Sequence, residues 1–457
     1  MTFPHDFIWG AAAASYQIEG STQGVDDCGE SVWDLCVKRP GFVKGGDTGF
    51  LACDHYHRYR EDVALMKEIG LQAYRLSVMW PRILPAGTGA VNEKGLAFYD
   101  RLIDTLLDAG ITPWVTLFHW DFPAALFHRG GWLNPDSPLW FEEYAAVVVD
   151  RLSDRVHHWF TLNEPACFIG LGHQIGVHAP GVQLSPAEVN RAWHHSLLAH
   201  GRGVRVIRQA SKSPGCQVGF APVFRTCIPA TESAADIEAA RRMMFDGRDR
   251  SMFEPGWNLE PVLNGVYPED LLKLWGADAP VIREGDMELI RQPIDFIGFN
   301  LYQSGLVRAG AGGLPEDIPY PTHHPRTQLG WPVTPDALYW AARFLHERYA
   351  LPLVVTENGL ALNDWVSVDG RVHDPLRIDF LTRYLRGLER AVDEAIPVLG
   401  YFHWSIMDNF EWAEGFQPRF GLVHVNYTTQ QRTIKDSGYW YREVIKNRGP
   451  GPIHRPA

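Results

Sequence analysis

The sequence has no Cys-x-x-Cys pair among its six cysteines, Cys28, Cys36, Cys53, Cys167, Cys216 and Cys227. Scattered cysteines in a chain of 457 residues are expected to be reduced and structural, because a core of that size needs no disulfide framework. None of the nineteen histidines falls in a His-Glu-x-x-His or comparable spacing, not even at the doublets His157/His158, His194/His195 and His323/His324. No metal site is expected. No apolar run approaches the about eighteen residues of a membrane span, and residues 1–10 carry no basic segment followed by an apolar core. The expectation is a cytoplasmic protein with no membrane partner. Basic charge is short too: 42 lysines and arginines against 54 acids leave a net charge of -12, with no basic stripe. That balance opposes nucleic-acid binding, which needs cations to displace the counterions of phosphates.

What the chain has is ordinary globular composition, 46% hydrophobic and 21% charged, so a folded core is expected. Short apolar runs recur at residues 7–14, 73–78, 113–118, 158–162, 217–223, 296–299, 353–355 and 398–402. Between most of them lie helical patterns, at residues 56–69, 92–109, 139–152, 186–209, 233–245, 335–348 and 374–394; in the first, Tyr56, Tyr59, Val63, Met66 and Ile69 share one face. Residues 251–293 are rich in proline and glycine and read mostly as loop. Eight strands alternating with helices predict an α/β fold, a single (β/α)8 TIM barrel forming one catalytic domain over residues 1–457. A doubly wound open sheet is the alternative, although no Gly-x-Gly-x-x-Gly follows the first strand to cradle a dinucleotide. A barrel needs about 250 residues, so about 200 are left for long loops after the strands, the face where barrel enzymes place their chemistry.

Reading the C-terminal end of each strand collects Gln17, Arg75, His119 with Trp120, Asn163 with Glu164, Asn300 with Tyr302, Glu357, and Trp404. Carboxylates, amides and aromatics suit a sugar, whose hydroxyls need donors and acceptors and whose C–H face packs on an indole. Two carboxylates flanking a glycosidic bond can hydrolyse it, with retention of configuration if they stand about 5 to 5.5 Å apart. Arg75 is the one cation in the set and could keep one carboxylate charged.

With these residues assembled, the chain resembles glycoside hydrolase family 1, the retaining β-glucosidase family. Thr161-Leu162-Asn163-Glu164-Pro165 resembles the family's acid/base segment and Thr356-Glu357-Asn358-Gly359 its nucleophile segment. Further matches are Phe7-Ile8-Trp9-Gly10, Tyr16-Gln17-Ile18-Glu19-Gly20, Tyr74-Arg75-Leu76-Ser77, Phe118-His119-Trp120-Asp121, Trp404-Ser405 and Asp408-Asn409-Phe410-Glu411-Trp412, so the likeness spans the whole chain. The resemblance implies a cofactor-independent exo-β-glycosidase acting on small β-glycosides or oligosaccharides such as cellobiose. Glu164 would be the acid/base and Glu357 the nucleophile, with Arg75, Asn300 and Tyr302 polarising the latter. Gln17, His119, Trp120, Asn163, Glu411 and Trp412 would hold the non-reducing sugar, Trp404 would be its platform with Phe420 nearby, and Trp331 would line the leaving-group side.

Departures from the family pattern are Ala166, where many members carry tryptophan, Leu301 between Asn300 and Tyr302, His403 before Trp404, and Asn426 where aspartate is common. Glu164 separates the chain from thioglucosidases, which carry glutamine there. Glu411 separates it from relatives acting on 6-phosphorylated sugars, since a carboxylate at that place would repel phosphate. Two readings from other classes remain at this point, a sugar-binding barrel without turnover and a histidine-based metal hydrolase.

Overall fold

The computed structural model describes residues 2–451. Eight strands, β1 (Ile8–Ala12), β2 (Ala73–Ser77), β3 (Thr112–Phe118), β4 (His158–Asn163), β5 (Gln217–Ala221), β6 (Phe296–Asn300), β7 (Leu353–Asn358) and β8 (Val398–Trp404), form a closed barrel. Each pairs in parallel with its neighbours in chain order, and β8 returns to β1 from Ile8↔Gly400 to Ala12↔Trp404. That closure excludes the open sheet. The strands read as continuous apolar runs because both faces are covered, by helices outside and side chains within. Inside the barrel Trp114 packs against Phe160, Phe296 and Phe402, with ring centroids 5.9, 5.5 and 5.2 Å away.

Two of the surrounding helices begin at side-chain caps. Asn92 accepts a hydrogen bond from the Lys94 amide at 3.2 Å to open Glu93–Asp108, and Ser185 with Glu188 forms a capping box at the head of Pro186–Ala210. The helix around residue 340 begins at Ala337 rather than Pro335. The stretch 251–293 is not mostly loop: it holds helices Pro255–Asn264, Glu269–Trp275 and Asp286–Ile290. Its prolines mislead because Pro255 takes the first helical position, where a missing N–H costs nothing. Tertiary burial of Trp257, Leu259 and Val262 outweighs the break expected at Pro261.

The long loops also carry structure that their composition hides. Residues 166–175 wind into a π-helical segment, Cys227–Pro229, Gly305–Ala309 and Pro315–Ile318 make a small side sheet, and Val423–Val425 pairs with Arg432–Ile434. A last helix, Asp436–Asn447, returns to the barrel, where Tyr441 donates to the Gly10 carbonyl at 2.9 Å. All six cysteines are unpaired and buried. Among the described residues no helix is long and apolar enough to cross a membrane.

Two irregularities connect the fold to the site. Pairing of β4 with β5 shifts register between Phe160 and Asn163, and pairing of β7 with β6 shifts between Val355 and Glu357. Bulges bend a strand and re-aim the side chains that follow. Both fall just before a strand delivers its glutamate.

Candidate active site

The strand ends open into a cavity of about 660 Å³. Glu164, Asn300, Tyr302 and Glu357 line it; His119, Trp120, Trp404 and Trp412, with Glu411, form one wall, and Trp331 with Phe420 another. Gln17, Arg75 and Asn163 do not line it. They are buried directly behind the lining, at no more than 1% exposure each, and act through the groups that do.

Glu357 is the most tightly held. Its Oε1 accepts from Arg75 Nη1 at 2.6 Å and its Oε2 from the Tyr302 hydroxyl at 2.7 Å. Burial leaves the Glu357 carboxyl above its ordinary value, although Arg75, Tyr302 and Asn300 oppose the rise and favour the ionised state. The Tyr302 hydroxyl is itself raised by burial and by both glutamates, so it stays a donor. The loop after β7 must pass the end of β8 at once: a Cβ on Gly359 would lie 1.9 Å from the Trp404 carbonyl oxygen. Gly359→Ala is therefore expected to cost about 1–3 kcal/mol of stability through overpacking, measured as a lower denaturation midpoint.

Arg75 is fixed from three sides. Beyond Glu357 it donates through Nη2 to Asn163 Oδ1 at 2.6 Å and lies 5.0 Å above the Phe160 ring. Asn163 Oδ1 also accepts from Asn300 Nδ2 at 3.1 Å, so its amide nitrogen is the end that faces His119 Nε2 at 3.0 Å. His119 Nε2 must then be the acceptor, which leaves the ring proton on Nδ1. Burial, with the Arg75 charge second, holds His119 well below its usual pKa and hence neutral.

Glu164 sits differently. Its backbone φ of 47° is left-handed, a conformation that costs a bulky residue about 1–3 kcal/mol and persists only where the surroundings impose it. Asn300 Nδ2 donates to Glu164 Oε1 at 2.7 Å, and no cation contacts the carboxyl among the described residues. Burial raises its pKa, the Glu357 charge raises it further, and the hydrogen bonds from Asn300 and Cys167 oppose both. The two glutamates are thus pushed apart: Arg75 favours charge on Glu357, and that charge favours a proton on Glu164.

The wall around His119 is aromatic with one polar edge. The His119 ring is near-parallel to Trp404 and Trp412, at 5.8 and 6.1 Å. Trp120 (φ 77°) and Trp412 (φ 49°) share the left-handed strain of Glu164, and Trp120 is pinned by a 2.9 Å bond from Nε1 to the Asn163 carbonyl. Gln17 Nε2 donates to the Phe410 carbonyl at 2.8 Å and approaches Glu411 Oε2 at 3.4 Å, while Gln17 Oε1 is buried without a protein partner. Burial and both glutamates raise Glu411 to about 8. On the other wall Trp331 stands 5.3 Å from Tyr302 and 6.3 Å from Phe420. His403, kept neutral chiefly by burial at a pKa of about 3, hydrogen bonds the Phe420 carbonyl at 3.1 Å and ties that loop to β8.

The cavity is also lined by residues that strand-end logic does not reach, among them Cys167, Leu171, His178, Phe253 and Tyr320. They sit on the π-helical segment and on loops without periodicity, so no sequence signal marked them. Among the described residues no group of three or more His, Cys, Asp or Glu side chains is arranged to hold a metal ion.

The fold and paired carboxylates define a glycoside hydrolase of the barrel class. The model for glycosyl hydrolase family 1 matches residues 1–450, and the chain belongs to that family. It is similar to beta-glucosidase A of Thermotoga maritima, 46% identical over 98% of each chain. It is also similar to the bifunctional beta-D-glucosidase/beta-D-fucosidase of Bifidobacterium breve, 40% identical over 97% of this chain and 98% of that one. Among solved structures it superposes on the Thermotoga maritima beta-glucosidase in complex with glucoimidazole, with a TM-score of 0.89, 45% identity, and coverage of 98% of this chain and 99% of that chain.

Proposed function

We propose that this glycoside hydrolase is a retaining exo-β-glycosidase that removes terminal non-reducing β-D-glucosyl residues, and also β-D-fucosyl or β-D-galactosyl residues, from aryl glycosides or oligosaccharides such as cellobiose. The observation that carries it is the unequal environment of the two glutamates. Glu357, charged beside Arg75 and Tyr302, attacks the anomeric carbon; Glu164, carrying the proton, gives it to the departing oxygen. Water then enters where the leaving group stood, Glu164 takes its proton, and the bond between Glu357 and the sugar breaks with overall retention. One amide, Asn300, influences both carboxyls, which supports the close spacing of a retaining pair over the about 6.5–9.5 Å of an inverting one.

Glu411, held from behind by Gln17, and His119 Nδ1 offer the sugar hydroxyls a carboxyl and a donor, and Trp404 its platform. Repulsion by Glu411 is not what disfavours a phosphorylated sugar, because a carboxyl raised to about 8 is largely neutral at pH 7. The lack of an uncommitted arginine or lysine at the cavity among the described residues is the stronger reason: Arg75 is engaged by Glu357 and Asn163, and Arg225 in the cavity lining by Asp249 and Glu254. The scheme needs no cofactor. The chain acts as one catalytic domain, and its unpaired cysteines fit a cytoplasmic location.

Purified protein should release nitrophenol from nitrophenyl β-glucoside, with β-glucose as the first anomer seen by NMR. A folded protein without turnover, or α-glucose appearing first, overturns the proposal. The pH profile follows from the same asymmetry. Activity needs Glu357 unprotonated and Glu164 protonated, so kcat/KM rises as Glu357 ionises and falls as Glu164 loses its proton. Because burial and the Glu357 charge raise Glu164, the falling limb is expected well above the ordinary carboxylate range. The two limbs measure the pair, not either residue alone.

A further inference from the structure

Thr356 has no part in the scheme above, yet it touches the group that touches the acid. It lies in β7 directly before Glu357, fully buried. Its Oγ1 donates to Asn300 Oδ1 at 2.6 Å, across the pairing of β7 with β6. The amide oxygen carries no proton, so the threonine hydroxyl is the donor. The other end of the same amide, Nδ2, donates to Glu164 Oε1 at 2.7 Å and Asn163 Oδ1 at 3.1 Å. One side chain therefore joins the strand of one glutamate to the carboxyl of the other.

We propose that Thr356 is a positioning residue for the acid/base, locking the Asn300 amide so that its nitrogen faces Glu164 and the Glu164 proton is left on Oε2 for the leaving group. This rests on Glu164 being the acid/base. With an N–H directed at Oε1, protonation there is disfavoured and the proton occupies the other oxygen. Without the threonine hydroxyl, Asn300 Oδ1 is a buried acceptor with no donor, an unfavourable state. A protonated Glu164 is then the nearest group able to relieve it. A tilted or reversed amide would accept the catalytic proton and divert it from the glycosidic oxygen. The need for that proton grows as the leaving group becomes a poorer anion, so the defect should depend on the substrate.

Valine is the suitable replacement, being isosteric and lacking only the hydroxyl. The methyl of Thr356 packs over Gly298, where a Cβ would come within 2.7 Å of it, and valine keeps that contact. The experiment compares kcat/KM of wild type, Thr356→Val and Thr356→Ser over a series from dinitrophenyl to phenyl β-glucoside, with pH profiles. For Thr356→Val the expected loss is about tenfold on the phenyl glucoside and less than about threefold on the dinitrophenyl glucoside, below the about 10²–10⁴ of losing the acid outright, because the acid is misaligned and not removed. Thr356→Ser should stay within about twofold of wild type, since it keeps the donor. The alkaline limb should move upward in Thr356→Val, because the Asn300 bond that lowers Glu164 is weakened, while the acid limb stays in place.

Equal losses on all leaving groups with an unmoved alkaline limb would overturn the role, as would Thr356→Val behaving like wild type or Thr356→Ser failing as badly. Should the valine variant not fold, Thr356→Ala against Thr356→Ser makes the same comparison. Wild-type turnover of the series is read first: its absence overturns the acid assignment and this inference with it, whereas normal wild-type behaviour with a flat variant pattern overturns only Thr356.

Discussion

Glu357→Gly is expected to lower β-glucosidase turnover by about five to six orders of magnitude, the scale on which loss of a covalent nucleophile acts. The variant keeps Arg75 and Tyr302 aimed at an empty place. Arg75 loses its carboxylate partner but not its bonds to the Thr356 carbonyl and Asn163 Oδ1, so the fold should survive at reduced stability; removing one partner of a buried ion pair costs about 3–5 kcal/mol. Azide can then occupy the vacated volume, drawn by the uncompensated guanidinium. On a glucoside with a good leaving group it attacks the anomeric carbon from the face Glu357 used and expels the aryl oxide, giving α-glucosyl azide. Glu357→Gln fills the same space and should not be rescued. A β-azide product, or no rescue of a folded glycine variant, would count against Glu357 as the nucleophile.

The strand ends were legible because a barrel leaves little freedom: buried parallel strands read as apolar runs, and the polar residues just beyond each run lie on the rim. Glu164, Asn300 and Glu357 all fall there, and Arg75 on β2 reaches Glu357 as its charge suggested. What sequence could not distinguish was which of these face the cavity. Gln17, Arg75 and Asn163 have the polarity of lining residues yet lie behind it, because a hydrogen-bond network leaves no trace in the period of a strand. Thr356 was hidden for a related reason, since a β-branched residue in a strand needs no explanation beyond its fit to the pleat. Cys167, Phe253 and Tyr320 are loop residues whose placement comes from tertiary packing, as does the helical form of residues 255–264 despite two prolines.

Three of the twelve left-handed non-glycine residues among the described residues belong to the site. Trp120, Glu164 and Trp412 hold left-handed φ values on three separate loops, and each is fixed by a neighbour of the cavity. Trp120 hangs from the Asn163 carbonyl, and Trp412 is backed by Trp33 at 4.7 Å and stacked on Tyr16 at 6.1 Å. The apolar packing of those rings offsets their own backbone cost, and Glu164 is held by the 2.7 Å bond from Asn300. A preorganised acid follows, held at one angle before substrate arrives.

Glu164→Ala should show that angle in its kinetics. Removing a general acid costs about 10² to 10⁴ in rate, but only where the leaving group needs a proton. Phenyl and alkyl β-glucosides should bear the full loss, because Glu357 must then expel an unprotonated oxide. Dinitrophenyl glucosides depart unaided, so formation of the glycosyl-enzyme persists while its hydrolysis, which needs Glu164 as base, becomes limiting. The covalent intermediate accumulates, KM for that substrate falls with kcat, and a burst of dinitrophenol precedes the slow steady state. Azide needs no base, so it should restore turnover by attacking the intermediate from the face opposite Glu357, giving β-glucosyl azide. The alkaline limb should vanish, since the group that set it is gone. The same anion thus yields opposite anomers from the two variants, the α-azide from Glu357→Gly and the β-azide from Glu164→Ala, because each vacancy lies on its own face of the sugar. Equal loss across leaving groups, or an α-azide from Glu164→Ala, would mean that Glu164 does not hold the proton.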